Sequence, residues 1–131
     1  MKLIHYLNFL LIFLIIITIC IVEDVLVNNS LTQTQNDCFL IEQQVEKLDD
    51  IQNMEVVMLV ENLEYNWTNS ESQLCYLVNH KSIQEIGQEI AKMKLYIASN
   101  DLAQFEVSVE LIKSYCKNYL HFMGASFHNI L

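Results

Sequence analysis

Residues 83–97 read IQEIGQEIAKMKLYI. Apolar side chains return in this stretch at alternating spacings of three and four, the interval that aligns residues on one face of an α-helix. Polar side chains fill most of the other positions. The stretch therefore predicts an amphipathic helix that buries one stripe: Ile83, Ile86, Ile90, Met93 and Ile97.

Both ends of this predicted helix carry boundary signals. Asn79-His80-Lys81 interrupts the apolar pattern, and Ser82-Ile83-Gln84-Glu85 then forms a capping box. In such a box the Ser side chain accepts from a free backbone N–H and the Glu reaches back to the cap. After the stripe, Ser99-Asn100-Asp101 supplies a turn and a new N-cap.

The same spacing continues on either side and predicts three further helices, at about 37–51, 54–79 and from 102 onward. The chain has no Pro and two Gly, so few residues interrupt these helices. Helices joined by turns of a few residues pack side by side with their apolar stripes facing inward. We therefore expect an all-α fold, with an antiparallel up-down four-helix (helical hairpin) domain over residues 37–131.

An apolar run precedes this domain. Residues 3–22 contain no acidic or basic side chain except His5. Twenty helical residues span roughly 30 Å, the thickness of a bilayer's hydrocarbon core. The run is longer than the apolar region of a secretory signal and lacks a small-residue cleavage site, so residues 1–24 predict an uncleaved signal anchor, a transmembrane helix. Cleavage and lipid attachment at Cys20 are the weaker alternatives, the latter because Ile19 precedes it.

Charge predicts the orientation of this anchor. Lys2 lies on one side of the apolar run, and Glu23 and Asp24 lie on the other. Because basic residues stay in the cytoplasm, we expect a single-pass protein of the cell membrane with its N-terminus cytoplasmic and its C-terminal domain extracytoplasmic. Residues 25–36, VLVNNSLTQTQN, are polar and unpatterned after Val27, so they predict a tether between anchor and domain.

The charge balance excludes one class of partner. The chain has sixteen acidic residues and seven lysines, with no Arg, and all but Lys2 follow the apolar run. An acidic surface without a basic cluster repels nucleic acid. We expect no nucleic-acid binding, and instead the membrane as one partner, through residues 3–22, and a protein of the cell envelope as another; the oligomeric state stays open.

Two Cys-x4-His motifs, Cys75 to His80 and Cys116 to His121, contain residue types that bind metal ions. Five residues of helix turn by about 500°, which leaves the two side chains some 140° apart, so neither pair chelates from one continuous helix. No nucleophile stands beside a general base. We therefore expect no metal, no cofactor, no catalytic residue and no enzymatic activity.

Three cysteines follow the anchor: Cys38, Cys75 and Cys116. An odd number at wide spacing is not a disulfide framework. The spacing favours free thiols in the packed core, with Cys116 on the apolar stripe and Cys75 at its flank. One disulfide between two of the three is the alternative.

Two positions remain as candidates for a partner or structural role. Trp67 falls on the stripe of the second predicted helix, which favours a core anchor, with a partner contact as the alternative. His80 falls at the turn between the second and third helices, where a protonated imidazole interacts favourably with the C-terminal end of a helix. A proton-sensing or ligand-binding role for His80 is the alternative.

A family resemblance runs over roughly residues 50–131. It is carried by the anchor, Trp67, the stretch LVNHKSIQEIGQEIAKMKLYIASND with His80 and Ile86, and the final Asn129-Ile130-Leu131. In these features the chain resembles a bacterial family of N-terminally anchored small proteins, catalogued as domain of unknown function number 4363. The resemblance implies one N-terminal anchor and a helical extracytoplasmic domain, and it supplies no activity, cofactor or catalytic residue.

The expected function follows from these points. We expect a membrane-anchored helical protein that serves as a non-enzymatic protein-interaction or scaffold module of the cell envelope. The alternative is a ligand-sensing helical bundle. Because no second transmembrane segment is predicted, such a sensor would act through a membrane partner.

Overall fold

The computed structural model describes the backbone of residues 2–77 and 80–128, and within these ranges all side chains except those of residues 2, 3, 80, 82 and 122–128. The described residues form α-helices and no strand, as the sequence predicts. The helices number four rather than five, because the predicted anchor and the first predicted helix of the domain belong to one helix. The helices are α1 (Lys2–Leu48), α2 (Met54–Leu77), α3 (His80–Ser99) and α4 (Leu102–His128).

The structure differs from the sequence interpretation at residues 25–36, where we expected a tether. α1 runs without a break for 47 residues, so these residues are helical and join the apolar run to the domain. Although most of its side chains are polar, every third or fourth residue of this segment faces the core. The buried positions of α1 are Val27, Leu31, Thr34, Cys38, Ile41 and Val45.

Thr34 explains why this pattern was missed. A polar residue at a stripe position breaks the apolar periodicity in the sequence, yet Thr34 is 4% exposed. Its hydroxyl donates to the backbone carbonyl of Ser30, one turn earlier, at 2.9 Å. Because the hydroxyl is satisfied within the helix, Thr34 is buried without an unpaired polar group.

The connections between helices follow local chemistry. Asp49 and Asn100 adopt φ values of 51° and 54°, the left-handed conformation that ends many helices. The N–H of Asp101 bonds the carbonyl of Tyr96 at 2.9 Å, which closes α3. Asp101 then caps α4, because its carboxylate accepts from the N–H of Gln104 at 3.1 Å. The turn and N-cap predicted at 99–101 are confirmed.

Each helix packs against two others. α1 contacts α2 and α4, and α3 contacts the same two helices, so the four helices surround one core. The core holds the apolar stripes predicted from the sequence. Besides the α1 positions it contains Ile51, Val56, Val60, Leu63, Trp67, Leu74, Ile83, Ile86, Ile90, Met93, Phe105, Val109, Ile112 and Cys116.

Polar contacts between neighbouring helices fix their register, that is, which residues lie opposite each other. Between α1 and α2, Gln44 bonds Glu55, and Asn66 donates to the Asp37 carboxylate at 2.9 Å. Between α1 and α4, Gln35 donates to the carbonyl of Lys113 at 3.2 Å, and the Lys113 ammonium lies 2.8 Å from the Glu42 carboxylate.

Candidate functional site

The N-terminal part of α1 is the largest exposed apolar surface among the described residues. Its side chains from Ile4 to Val22 point outward on all sides. The most apolar 18-residue window has a mean hydropathy of 2.9, and 6% of it is buried. By length and composition this segment is able to cross a membrane.

Trp67 lies at the contact between α2 and α3, 3% exposed. It packs against Gly87 of α3: a Cβ at position 87 would lie 3.2 Å from the indole Nε1 and 3.6 Å from an Oε1 of Glu71. Any larger residue would press on the ring. Gly87, which follows the stripe residue Ile86, is therefore the position of α3 that admits the indole.

The indole N–H of Trp67 has no hydrogen-bond partner, and it is the one buried side-chain polar atom of the described residues in this condition. Leaving a buried donor unpaired costs about 1–3 kcal/mol. The Glu71 carboxylate is the acceptor nearest to the same point above Gly87. The arrangement thus places an unused donor beside a carboxylate.

A groove of about 380 Å³ opens beside this pair, between α2 and α3. Four of its nine lining residues are acidic or amide side chains. The Glu64 carboxylate in it lies 2.8 Å from the Lys94 ammonium. Such walls offer acceptors to a cationic or hydroxyl-bearing group. The lining residues are Glu64, Trp67, Thr68, Glu71, Gln84, Gly87, Gln88, Ile90 and Ala91.

A carboxylate is also buried between α3 and α4. Glu89 is 7% exposed, accepts from the Ser108 hydroxyl at 2.9 Å and lies 2.6 Å from the Lys92 ammonium. The hydrogen bond that the Lys92 ammonium donates to Glu89 raises the pKa of Lys92 above its usual value. Since both carboxylate oxygens are engaged, this cluster holds the helices together rather than offering a free base.

All four cysteines are free in the structure. Cys38 and Cys116 are buried in the core and Cys75 is half-buried, as predicted from the stripes. Burial raises the pKa of Cys38 well above its usual range, with a contribution from neighbouring Cys116, and raises the pKa of Cys116 to about 12. Both remain protonated thiols at neutral pH and are poor nucleophiles.

The Cys-x4-His pairs differ in what the structure describes. Cys116 is buried while His121, five residues on, is exposed. The side chain of His80 lies outside the described residues, so its predicted capping role and its spacing to Cys75 stay predictions. Within the described part of the chain no group of three or more His, Cys, Asp or Glu side chains is placed to hold a metal ion.

The break predicted at 79–81 is wrong at His80 and Lys81, because α3 begins at His80, two residues before the predicted cap at Ser82. Asn79 lies outside the described residues.

The structure places Trp67 and Glu71 next to Gly87. The sequence did not indicate that Gly87 and Glu71 belong to this site. A signal was present for one of them: an isolated glycine inside a strong helical pattern commonly marks a close approach. Nothing in the sequence distinguishes Glu71 from the other acidic residues.

The comparison with known families now identifies the relatives of this fold. Residues 25–130 match the family described as Domain of unknown function (DUF4363). The chain belongs to the DUF4363 family. The match begins at residue 25, which is the first residue of the segment predicted as a tether. No curated protein and no solved structure matches this DUF4363 chain.

Proposed function

We propose that this DUF4363 protein is a single-pass membrane protein whose helical domain lies outside the cytoplasm and acts as a non-enzymatic interaction module. One observation carries the proposal: the apolar surface of residues 4–22 continues into the bundle as one uninterrupted helix. An exposed apolar helix of this length is stable only in lipid or against a partner.

The contacts between helices support an antiparallel up-down arrangement of the domain. Along α2, the partner in α1 moves back from Gln44 to Asp37 as the chain advances from Glu55 to Asn66. α4 shows the same reversal, because Val45 and Phe105 line one groove while Cys38 neighbours Cys116. Short connections between α-helices favour the same arrangement.

The orientation rests on charge. Lys2 precedes the anchor, and Glu23 and Asp24 follow it. Retention of the basic end in the cytoplasm leaves the acidic bundle outside.

The state of the buried titratable groups supports interaction over catalysis. The buried thiols are protonated, and the buried carboxylate of Glu89 is paired. The bundle surface is strongly acidic, with sixteen acidic residues in the chain against seven lysines. Such a surface steers association with basic surfaces, so we propose a protein partner of the cell envelope with a basic contact face.

A second candidate is a ligand-sensing bundle that acts through a membrane partner. The unpartnered indole N–H of Trp67 beside the α2–α3 groove favours it. Trp67→Phe removes this N–H and tests the candidate: a small molecule that raises the melting temperature of the wild-type protein should fail to do so in the variant.

Topology and anchoring are tested together. A reporter that is active only outside the cytoplasm, fused after Leu131, should be active, and the fusion should fractionate with membranes. Ile15→Asp should reduce the membrane-bound fraction, because a carboxylate at the centre of a spanning helix costs about 2.5–3.5 kcal/mol. Ile15→Leu is the matched control. An inactive reporter would overturn the proposed orientation, and equal membrane binding by all three proteins would overturn the anchor.

Partner binding is tested by chemical cross-linking in intact cells. A product of defined size that requires the anchor and weakens at high salt is expected, because screening reduces contacts between an acidic and a basic surface. A product that is unchanged by salt would contradict the basic partner.

A further inference from the structure

The distance between the anchor and the bundle is short. Val22 is the last residue of the apolar run, and Val27 is the first core residue of α1. Five helical residues rise about 7.5 Å. Glu23 and Asp24 are already half-buried. No spacer of the predicted kind separates the two parts.

The headgroup layer has a similar depth. A bilayer of about 40–45 Å with a hydrocarbon core of about 30 Å leaves roughly 5–8 Å of headgroups on each side. If α1 crosses the membrane as proposed above, the first core layer of the bundle lies at the outer limit of the headgroups.

The register brings other helix ends to this level. Asn66 of α2 meets Asp37 of α1, and Tyr76 lies ten residues further toward the membrane, level with residue 27. Cys116 of α4 neighbours Cys38, and α4 continues twelve residues further to His128, level with residue 26. The end of α2 and the end of α4 therefore reach the same plane as the start of the core.

Two exposed residues at this end are of types found at membrane interfaces. Tyr76 is 90% exposed, the largest exposure of any large apolar or aromatic side chain described. The side chain of Lys81, at the start of α3, is 82% exposed. Tyrosine and lysine place an apolar body toward the hydrocarbon and a polar tip in the headgroups. The opposite end instead exposes Asp49, Asp50 and Asp101.

We infer that the end of the bundle formed by the end of α2 and the start of α3 rests on the lipid headgroups of the same bilayer that holds the anchor. This rests on the proposed membrane crossing of α1. Tyr76 supplies the contact, and the Lys81 ammonium lies 4.0 Å from the Glu85 carboxylate, which balances its charge. The docking therefore needs no anionic lipid. The acidic opposite end is held outward, toward a partner.

The test uses the full-length chain in phosphatidylcholine vesicles. A fluorophore is attached to Tyr76→Cys, or to Met54→Cys as the matched control, in a Cys20→Ser/Cys75→Ser background. Met54 is 71% exposed and lies about 33 Å from position 76 along α2. The remaining cysteines are fully buried and stay unlabelled under native conditions. A phosphatidylcholine carrying a spin label on its headgroup serves as the quencher.

The label at position 76 should be quenched and its emission shifted to shorter wavelength, while the label at position 54 behaves as in water. A helical insertion of seven residues between Val22 and Glu23 lifts the bundle by about 10 Å and should abolish the quenching at position 76.

The outcomes separate the two proposals. Protein that floats with the vesicles but shows no difference between the two labels would overturn the docking and leave the anchor intact. Protein that does not float would overturn the anchor itself, and the docking with it. Circular dichroism of each labelled variant verifies that the bundle is folded.

Discussion

The two parts of α1 differ in their surroundings although they share one helix. Residues 4–22 are exposed on every side and carry mostly bulky apolar side chains. Residues 27–45 are buried only at every third or fourth position, with polar residues between. The backbone is helical in both, so the difference lies in what each part needs as its surroundings.

This difference teaches which property of a helix specifies a neighbour. A helix that is apolar all round matches lipid, which requires no particular face, whereas a helix with one apolar stripe matches other helices at defined positions. Substitutions in the first part should therefore act through polarity, and substitutions in the second part through position and shape.

The largest effect should come from a charge in the stripe of the second part. Ile41 is fully buried, whereas its neighbour Leu40 is 50% exposed. Ile41→Asp should destabilise the bundle by about 4 kcal/mol or more, because an unpaired carboxylate is buried in the core. Leu40→Asp should change stability by less than about 0.5 kcal/mol. Chemical denaturation followed by circular dichroism measures both, and similar losses would show that position along the stripe does not matter.

A break near the start of the second part should lower the free energy of unfolding slightly less than a charge in its stripe. Asn29 is an exposed residue within the segment first interpreted as a tether. Asn29→Pro should reduce the free energy of unfolding by up to about 3 kcal/mol, because proline removes a helical hydrogen bond and clashes with the preceding turn.

Asn29→Ala is the control for this substitution and should be neutral or slightly stabilising, because alanine favours the helix. Thermal melts of both variants in lipid nanodiscs decide between the two interpretations. A flexible tether would tolerate proline. Equal melting temperatures of the two variants would therefore show that residues 25–36 are a tether and not part of α1.

The thiols predict a pH dependence confined to the bundle. The pKa values of Cys38 and Cys116 are raised by burial, that of Cys116 to about 12, from an ordinary value of 9.0. Below pH 9 both states keep the protons and stability is unaffected. Above it the unfolded chain releases protons that the folded chain retains, so the free energy of unfolding falls by up to about 1.4 kcal/mol per pH unit and thiol.

Denaturation curves at several alkaline pH values measure this slope. Cys116→Ala should remove the contribution of one thiol to this slope. Cys20→Ser, in the anchor part, should leave the slope unchanged. A slope that is lost with Cys20 and kept without Cys116 would contradict the assignment to the core.

The smallest effect concerns shape within the bundle. Gly87→Ala would gain up to about 1 kcal/mol at an ordinary helical position. Here the new Cβ lies 3.2 Å from Nε1 of the buried Trp67, so the gain should be cancelled. In a Trp67→Phe background the same substitution should stabilise by about 0.5–1 kcal/mol. The double-mutant cycle is measured by denaturation, and identical effects in both backgrounds would show that the indole does not restrict this position.

The stripe of α3 and the turn into α4 were predicted from the sequence because their causes are local. The apolar stripe of residues 83–97 and the cap at Asp101 depend on side chains a few positions apart, and the structure places both as predicted. The apolar run and the family resemblance were likewise evident from residue order alone, and the match over residues 25–130 confirms the family.

The sequence by itself determined an all-helical fold with one apolar N-terminal segment, because periodicity and composition follow from the order of residues. Only the tertiary structure decided that residues 25–36 continue α1, because Thr34 counts as a core position once α2 and α4 cover it. The same holds for the unpaired indole of Trp67 against Gly87. These two residues are twenty positions apart, and which helix faces which is a property of packing, which no local pattern records.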